Sequence, residues 1–379
     1  MQPLNGGKIL LRVVLTALIC AGTSGLSLAQ QAPPGTTAGE RLWLPVSSTK
    51  TLHGYSAAQL ASPTNINGPG SVTITGAGLR PFGVAFDDAG NMYVADRNGH
   101  SVLIYAAPQT INSTSAPPAG AIASGPSRAL AGPVGLAFDA AGSLWVSNYF
   151  GNSIVKYTAA QLAAVLPFES PRRPAPAVVI RCPIFNFPYG HAFDRAGNLW
   201  VANDRNNSVL KFARADLATS GTIAPTQIVT RTTTGVLVNP HSPVFDAAGN
   251  LWVASSRNNQ LVKYTINPTT GAATPTITAT LRLNTTTIAR PSALAFDNAG
   301  NLWITDEPHN MMLKYNTASI TNGASVMPAK IITGFGEIGG VLPAFGPPPP
   351  VPPPPSAPPP PAPPPPPAPP PPAGPAPVQ

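Results

Sequence analysis

The chain has 379 residues, of which 43% are hydrophobic and only 9% are charged, and its formal net charge is +8. Its 22 lysines and arginines are spread along the sequence without a dense basic run, which argues against a nucleic-acid-binding protein. The charge favours at most a weak attraction to acidic surfaces such as cell-envelope polymers. About 300 residues of repeated sequence are enough to bury a large core.

The first 29 residues have the pattern of a secretory signal peptide. Lys8 and Arg12 precede an apolar stretch that runs on to Ala29. The stretch ends in a small residue, a larger one and a second small residue, which is the usual cleavage pattern. We therefore predict a signal peptide at 1–29 that is cleaved after Ala29.

Cleavage at this point removes two basic residues and no acidic one, so the mature chain carries a net charge of +6. Cys182 is then the only cysteine, and no intramolecular disulfide is expected. Lipidation of Cys20 is the alternative, although Ile19 before it is larger than the residue that lipoprotein signals normally carry. No other apolar stretch reaches the roughly 18 residues of a membrane span. We expect a secreted or periplasmic protein of bacterial origin, with a linker at 30–39.

Between residues 40 and 346 the chain repeats one phrase. Its five full copies are PFGVAFDDAGNMYVADRNGHSVLIY from Pro81, PVGLAFDAAGSLWVSNYFGNSIVKY from Pro133, PYGHAFDRAGNLWVANDRNNSVLKF from Pro188, PHSPVFDAAGNLWVASSRNNQLVKY from Pro240 and PSALAFDNAGNLWITDEPHNMMLKY from Pro291. The Asp of the phrase recurs at intervals of 51 to 55 residues. Such a period, with several short apolar runs in each unit, is typical of propeller blades.

Each copy predicts four antiparallel strands. Gly-x-Ala-Phe-Asp and Leu-Trp-Val-Ala are short apolar runs, and the Asp-x-Ala-Gly-Asn between them favours a turn, so the two runs form a hairpin. A third run such as 153–157 follows a polar loop, and a looser fourth such as 177–180 precedes the next Pro. Four antiparallel strands make one propeller blade.

The two ends of the array indicate how the ring closes. Residues 42–44 and 55–60 match 144–146 and 157–162 at identical spacing, yet no inner strand precedes Trp43. The segment 341–346 resembles an inner strand and then stops. We predict an all-β, six-bladed propeller in which one blade is shared between the N- and C-terminal segments, which leaves no open sheet edge. Five or seven blades are the alternatives.

The last segment, 347–379, consists of blocks of proline broken by Val, Ser, Ala and Gly. This composition predicts a disordered, proline-rich tail in the polyproline II conformation. At roughly 3.1 Å per residue its extended length is on the order of 100 Å, which suits a spacer across part of a cell envelope. A ligand for a proline-binding module is the second interpretation.

The repeated polar residues are expected to be structural. The aspartates start turns, and the tryptophans pack between blades. The amides of Asn152, Asn207, Asn259 and Asn310 are expected to bond to the backbone of their own loops. The lysines at Lys156, Lys211, Lys263 and Lys314 are expected on outer strands, where they keep a sheet edge soluble.

The phrase P-x-G-x-A-F-D-x-A-G-N-L-W-V-A resembles the NHL repeat, and the resemblance covers residues 40 to 346. NHL-like propellers include peptidylamidoglycolate lyase as well as sensor and adaptor domains that only bind. Virginiamycin B lyase and gluconolactonase-type enzymes use similar propellers. The resemblance therefore implies a fold but no single activity.

These activities can be distinguished by the residues at the mouth of the channel, where the inner strands begin. Peptidylamidoglycolate lyases hold zinc with histidines after the Pro of three blades, and here only His241 has that position. His191 lies two positions further along its strand. Glu307 and His309 form the one close acid and histidine pair, which keeps a metal-dependent lyase or lactonase open as the alternative function.

Side chains that differ between blades point to ligand binding. The predicted mouth residues are Phe82, Arg97, Tyr149, Phe150, Tyr189, His191, Arg205, His241, Arg257, Glu307 and His309. Aromatic rings beside arginines suit a peptide, a glycan or a small anionic molecule. We thus predict a non-catalytic binding scaffold with no catalytic residue, metal or cofactor, whose partner is such a ligand or a cell-envelope polymer or protein.

Overall fold

A computed structural model describes residues 40–76, 80–125, 128–166, 172–283 and 286–346. The predicted signal peptide (1–29), linker (30–39) and proline-rich tail (347–379) lie outside these residues. The described part of the chain is all-β and forms six blades in a ring, so the prediction of a six-bladed propeller is confirmed. Among the helices described, none has the length and apolar character needed to cross a membrane.

We number the blades 1 to 6 along the chain and give the strands of each from the channel outwards. Blade 1 consists of Ala344–Gly346, Arg41–Val46, Thr51–Tyr55 and Val72–Thr75. Blade 2 consists of Pro81–Phe86, Met92–Asp96, Ser101–Tyr105 and Gly120–Ala123. Blade 3 consists of Pro133–Phe138, Leu144–Asn148, Ser153–Tyr157 and Val178–Arg181.

The other three blades follow the same order. Blade 4 consists of Pro188–Phe193, Leu199–Asn203, Ser208–Phe212 and Gln227–Val229. Blade 5 consists of Pro240–Phe245, Leu251–Ser255, Gln260–Ile266 and Ala273–Leu283. Blade 6 consists of Pro291–Phe296, Leu302–Asp306, Met311–Tyr315 and Lys330–Thr333.

Short elements lie in the connections. The α-helices are Ala57–Ala61 and Ala159–Ala163. Single 3₁₀ turns lie at Ala107–Thr110, Asp204–Asn206, Arg214–Leu217, Ser256–Asn258 and Thr317–Ser319. Short extra strands lie at Ile66–Asn67, Gly221–Thr222, Thr286–Thr287 and Ser325–Val326.

Blade 1 joins both ends of the propeller. Its inner strand, Ala344–Gly346, comes from the C-terminal side of the chain. It pairs antiparallel with Arg41–Val46, so that Trp43 lies opposite Ala344. The ring of Phe345 lies edge-on to Trp303 of blade 6 at a centroid distance of 6.2 Å. The closing strand therefore makes the same contact with its neighbour as the inner strands of the other blades.

Aromatic contacts between neighbouring blades form much of the core. Four tryptophans of second strands pack edge-on against a Phe near the end of the next inner strand, as in Trp145 with Phe193 at 5.8 Å and Trp200 with Phe245 at 6.0 Å. Blade 2 uses Tyr93 instead, 5.0 Å from the ring of Phe138. All five tryptophans are buried, so the prediction that they pack between blades is confirmed.

The first hairpin turns define the turn end of each blade, opposite the mouth. The carboxylate of Asp194 accepts the backbone N–H of Asn198 at 2.9 Å and the indole N–H of Trp200 at 2.9 Å. Three other repeats bond the tryptophan indole to the turn aspartate in the same way. These bonds confirm that the turn aspartates are structural. They also connect each turn to the tryptophan of the second strand.

The repeated lysines were expected on exposed outer strands, and that expectation is wrong. They lie on the third strands, where each ammonium group sits 5.1 to 5.4 Å from the ring of the tryptophan on the paired second strand. Three of them also approach the turn aspartate, most closely Lys156 to Asp139 at 2.9 Å. The lysine alkyl chain covers the indole while its charge is held over the ring and beside the carboxylate.

The repeated asparagines also differ from the prediction. Each adopts a left-handed backbone with φ between 44° and 57°. Their side-chain oxygens accept a backbone N–H from the segment leading into the next blade, for example Asn207 from Asn239 at 2.9 Å. They therefore connect blades rather than only their own loops.

Candidate functional site

A cavity of about 340 Å³ opens at the mouth of the channel. Two positions of the repeat supply most of its wall. The residue after the proline that starts an inner strand supplies Phe82, Tyr189 and His241. The loops after the second strands supply Arg97, Tyr149, Asp204, Arg205, Ser256, Arg257 and Glu307. Both positions lie at the same end of every blade, because the first two strands run antiparallel.

Arg97 is held among three aromatic rings. Its guanidinium carbon lies 4.8 Å from the ring centroid of Phe82, 4.5 Å from that of Tyr149 and 4.9 Å from that of Phe150. Its Nε is buried and has no hydrogen-bond partner among the described residues. The rings stabilise the cation but accept no strong hydrogen bond, so the guanidinium keeps its donors for an anion.

Asp204 and His241 form a polar pair on the cavity wall. The Oδ1 of Asp204 lies 3.4 Å from His241 Nε2 and accepts the side-chain N–H of Asn239 at 2.7 Å, while Oδ2 accepts the hydroxyl of Tyr149 at 3.3 Å. Burial favours the neutral acid, but the hydrogen bonds and charge of these partners outweigh burial and lower the pKa of Asp204. The Asp204 side chain is therefore a carboxylate at neutral pH.

Tyr189 connects the wall to the segment that closes the ring. Its ring stacks on His241, with centroids 4.4 Å apart and planes 12° from parallel. Its hydroxyl donates a hydrogen bond to the carbonyl oxygen of Gly340. Gly339 and Gly340 line the cavity and both have positive φ, which glycine adopts without strain. The segment before the closing strand thus forms part of the cavity.

The charge of the lining is predominantly positive. Four arginines line the cavity: Arg97, Arg205, Arg257 and Arg290. Its two carboxylates are Asp204 and Glu307. Within the described ranges, none of the four arginines is paired with a carboxylate. The lining therefore attracts anions and supplies flat aromatic surface beside the charges.

Eight of the eleven predicted mouth residues line this one cavity: Phe82, Arg97, Tyr149, Tyr189, Arg205, His241, Arg257 and Glu307. Phe150 is not part of the lining, but its half-exposed ring covers the guanidinium of Arg97. Geometry brings these side chains together, and their binding role stays a prediction.

Two predicted residues lie elsewhere. His191 is buried in the inner strand of blade 4, and burial lowers its pKa to about 4, so it is a neutral core residue. The prediction that it faces the mouth is wrong, because its position in the strand directs it toward blade 3, beside Gly135. His309 is outside the lining and bonds through Nδ1 to Asp306 Oδ2 at 2.8 Å. Burial raises the pKa of Asp306 despite this contact.

Sequence reasoning missed several lining residues: Asn239, Ser256, Arg290, Gly339 and Gly340. Asn239 and Arg290 each precede the proline of an inner strand and have φ of 48°. This position varies between blades just as the one after the proline does, so the same reasoning applied one residue earlier finds them. The two glycines have no counterpart in the repeat.

The metal site that the alternative function needs is not assembled. Among the described residues, no group of three or more His, Cys, Asp or Glu side chains has a metal-binding arrangement. His241 and Glu307 line the cavity, whereas His309 lies outside it and is hydrogen-bonded to Asp306. The His, Cys, Asp and Glu side chains of these residues therefore do not form the three-ligand site that a zinc-dependent lyase uses.

No family model matches the chain, and no curated protein matches it. The solved structures that it resembles are six-bladed propeller proteins. One, a protein of unknown function from Bacteroides caccae, has a TM-score of 0.51 and 11% identity over 81% of this chain and 99% of that one. These values describe a shared fold.

Two further structures align less closely. A 6-phosphogluconolactonase-like protein from Bacteroides uniformis has a TM-score of 0.48 and 14% identity over 80% of this chain and 90% of that one. Streptogramin B lyase has a TM-score of 0.43 and 17% identity, and the alignment covers 63% of this chain and 66%, just under two thirds, of the lyase. The mouth residues of this chain must therefore be interpreted on their own geometry.

Proposed function

We propose that the chain is a secreted or periplasmic NHL-type propeller whose mouth cavity binds a small anionic ligand, such as an acidic peptide or an acidic glycan. The observation that carries the proposal is Arg97, a cation held by three aromatic rings at the cavity wall without a carboxylate partner among the described residues. An arginine fixed in this way loses little side-chain freedom when an anion binds.

The other arginines define how such a ligand would be held. Arg205 and Arg257 are exposed at the cavity, and the guanidinium of Arg205 lies 4.9 Å from the ring of Phe187. Guanidinium groups bind carboxylates and sulfates through paired hydrogen bonds. A cavity of about 340 Å³ suits one or two amino acid or sugar residues rather than a folded protein.

Export of the protein is part of the proposal. The sequence of residues 1–29 has the pattern of a signal peptide, and the proline-rich tail has the composition of a spacer. Both segments favour a position in or outside the cell envelope.

The experiment compares matched acidic and neutral probes by isothermal titration calorimetry. N-acetyl-glutamyl-tyrosine is paired with its diamide, and digalacturonate is paired with its methyl ester. At least one acid should bind more tightly than its neutral partner, and Arg205→Gln or Arg257→Gln should weaken that binding about tenfold, since each removes a charged hydrogen-bond donor.

Arg214→Gln is the control, because this arginine is exposed at the turn end and its loss changes the net charge equally. Unchanged binding in both cavity variants would contradict the assignment. Equal binding of acids and neutral partners would also contradict it.

A lyase or lactonase remains the second candidate, and the pair of Asp204 and His241 favours it. A carboxylate beside an imidazole on a cavity wall is an arrangement that serves proton transfer. Mass spectrometry of the same incubations distinguishes the two functions. Fragments that form with the native protein and disappear with His241→Ala would indicate catalysis, and intact probes support binding alone.

A further inference from the structure

Five of the six outer strands are covered by a segment of the following blade. Each covering segment, which we call a cap, lies between the third and outer strands of its own blade and runs parallel to the outer strand of the preceding one. The caps are Thr114 on blade 1, Arg172 on blade 2, Gly221–Thr222 on blade 3, Ser325–Val326 on blade 5 and Ile66–Asn67 on blade 6.

Four caps begin with the same hydrogen bond. A Ser or Asn side chain accepts the N–H that the outer strand directs away from its sheet. The bonds run from Thr73 to Ser113 at 2.9 Å, from Val179 to Ser220 at 2.9 Å, from Thr278 to Asn322 at 3.1 Å and from Ile331 to Asn65 at 3.0 Å. Uncharged residues then continue each of these four caps along the edge.

Blade 4 has no cap. The cap would come from blade 5, but the third and outer strands of that blade are joined by the short turn 267–272. In blade 4 the equivalent position is Ile228, which pairs with Leu210 as Val179 pairs with Val155. Because Ile228 shares the register of Val179, whose N–H points outward to Ser220, its N–H and carbonyl face away from Leu210. Within the described part of the chain, neither group makes a hydrogen bond outside the sheet.

The exposure of the side chains also shows that blade 4 lacks a cap. Ile228 is 52% exposed, whereas Thr73, Ala121, Val179, Thr278 and Ile331 at the equivalent positions are buried or half-buried. The next outward-facing carbonyl, that of Thr230, accepts the N–H of Leu237 from the blade's own loop at 2.7 Å, so the edge is open at Ile228. An open strand edge with an exposed apolar side chain is a template for pairing with another extended segment. Val236, in the loop that follows the same strand, adds a second exposed apolar residue.

We propose that the outer edge of blade 4, Gln227–Val229, is a docking site for an extended peptide segment of a partner protein. The peptide adds as a parallel strand, and a Ser or Asn side chain in it accepts the N–H of Ile228. Recognition of this kind is strand addition, in which backbone bonds give affinity.

The caps identify the chemistry of the occupant. The open edge continues an interface that the chain already makes five times, so a segment that fits it resembles the four caps that begin with Ser or Asn: one such residue followed by uncharged residues, as in Asn322-Gly323-Ala324-Ser325. The proline-rich tail of this chain does not meet the requirement, since consecutive prolines have no N–H groups to donate.

The experiment titrates the full-length protein with a fluorescein-labelled peptide of the sequence of residues 318–327 and follows fluorescence anisotropy. Saturable binding is expected. Ile228→Pro should weaken it about tenfold, because the proline removes the N–H donor but no hydrogen bond within the blade. Ile228→Val keeps the donor and should bind as the native protein does. The peptide with Asn322→Leu should also bind about tenfold more weakly to the native protein.

Hydrogen exchange gives a second measurement that needs no variant. The Ile228 amide should exchange faster than those of Val179, Thr278 and Ile331, and saturating peptide should slow it. Absence of saturable binding, or equal binding by Ile228→Pro, would overturn the proposal. A dimer that Ile228→Pro dissolves would assign the edge to a second copy of the chain and would overturn it as well.

Discussion

The two ends of the blades use charged residues in opposite ways. At the turn end, Asp139, Asp246 and Asp297 each accept a tryptophan indole N–H at 2.9 to 3.1 Å and lie 2.9 to 3.7 Å from a lysine ammonium group. At the mouth, arginines from four blades line a cavity without a carboxylate partner among the described residues. Repetition with paired charges therefore marks the architecture, and variation with unpaired charges marks the mouth, where we propose that a ligand binds.

The largest expected difference between the two ends is in stability. Trp200→Ala removes a buried indole from the contact between blades 4 and 5 and leaves the Asp194 carboxylate without its indole donor. We expect the free energy of unfolding to fall by about 3–5 kcal/mol. Urea unfolding followed by circular dichroism measures the change.

Phe150→Ala is the matched truncation at the mouth. Its ring is 52% exposed, so the free energy of unfolding should fall by less than about 1 kcal/mol. A comparable loss in the two variants would contradict the view that the aromatic residues of the mouth serve binding rather than stability.

A smaller effect is expected from one turn-end carboxylate without a close lysine. Glu40 accepts the N–H of Asn298 at 3.2 Å, and burial, which outweighs this bond, raises its pKa to about 7. The folded protein therefore binds this proton more tightly than the unfolded chain does. The resulting stability is fully present below the unfolded pKa of 4.5 and is lost as the pH rises through 7.

Glu40→Gln tests this dependence, because the amide oxygen can still accept the N–H of Asn298. Between pH 5 and pH 8 the native protein should lose about 1–3 kcal/mol relative to the variant. Urea unfolding at both pH values gives the comparison. Parallel curves for the two proteins across this range would contradict the assignment.

Much of the fold could be predicted because five copies of the repeat carry the same pattern of strands and turns. Pro, Asp, Gly and Trp at fixed spacing define the strands and turns, and Trp43 without a preceding inner strand indicates a shared blade. The lysines on the tryptophans were missed, since a strand pattern does not give the register that places each lysine directly opposite a tryptophan. The missing cap of blade 4 was also missed, because caps lie in the variable connections.

The site could be predicted only where it follows the repeat. The positions after the proline and after the second strand led to Phe82, Arg97 and Tyr189. Gly339 and Gly340 could not be found, because the closing segment has no second copy in the sequence. Its contact with blade 4, through the Tyr189 hydroxyl and the Gly340 carbonyl, arises only in the folded chain. His191 was misplaced because its strand directs it between blades.

The most direct test of the binding site is a crystal structure of the protein with the tightest-binding acidic probe. We predict that the anionic group of the probe lies within hydrogen-bonding distance of the Arg97 guanidinium, and that Arg97→Gln abolishes its density while the fold is unchanged. A probe bound outside the cavity, or bound in the cavity without contact to the Arg97 guanidinium, would contradict the account.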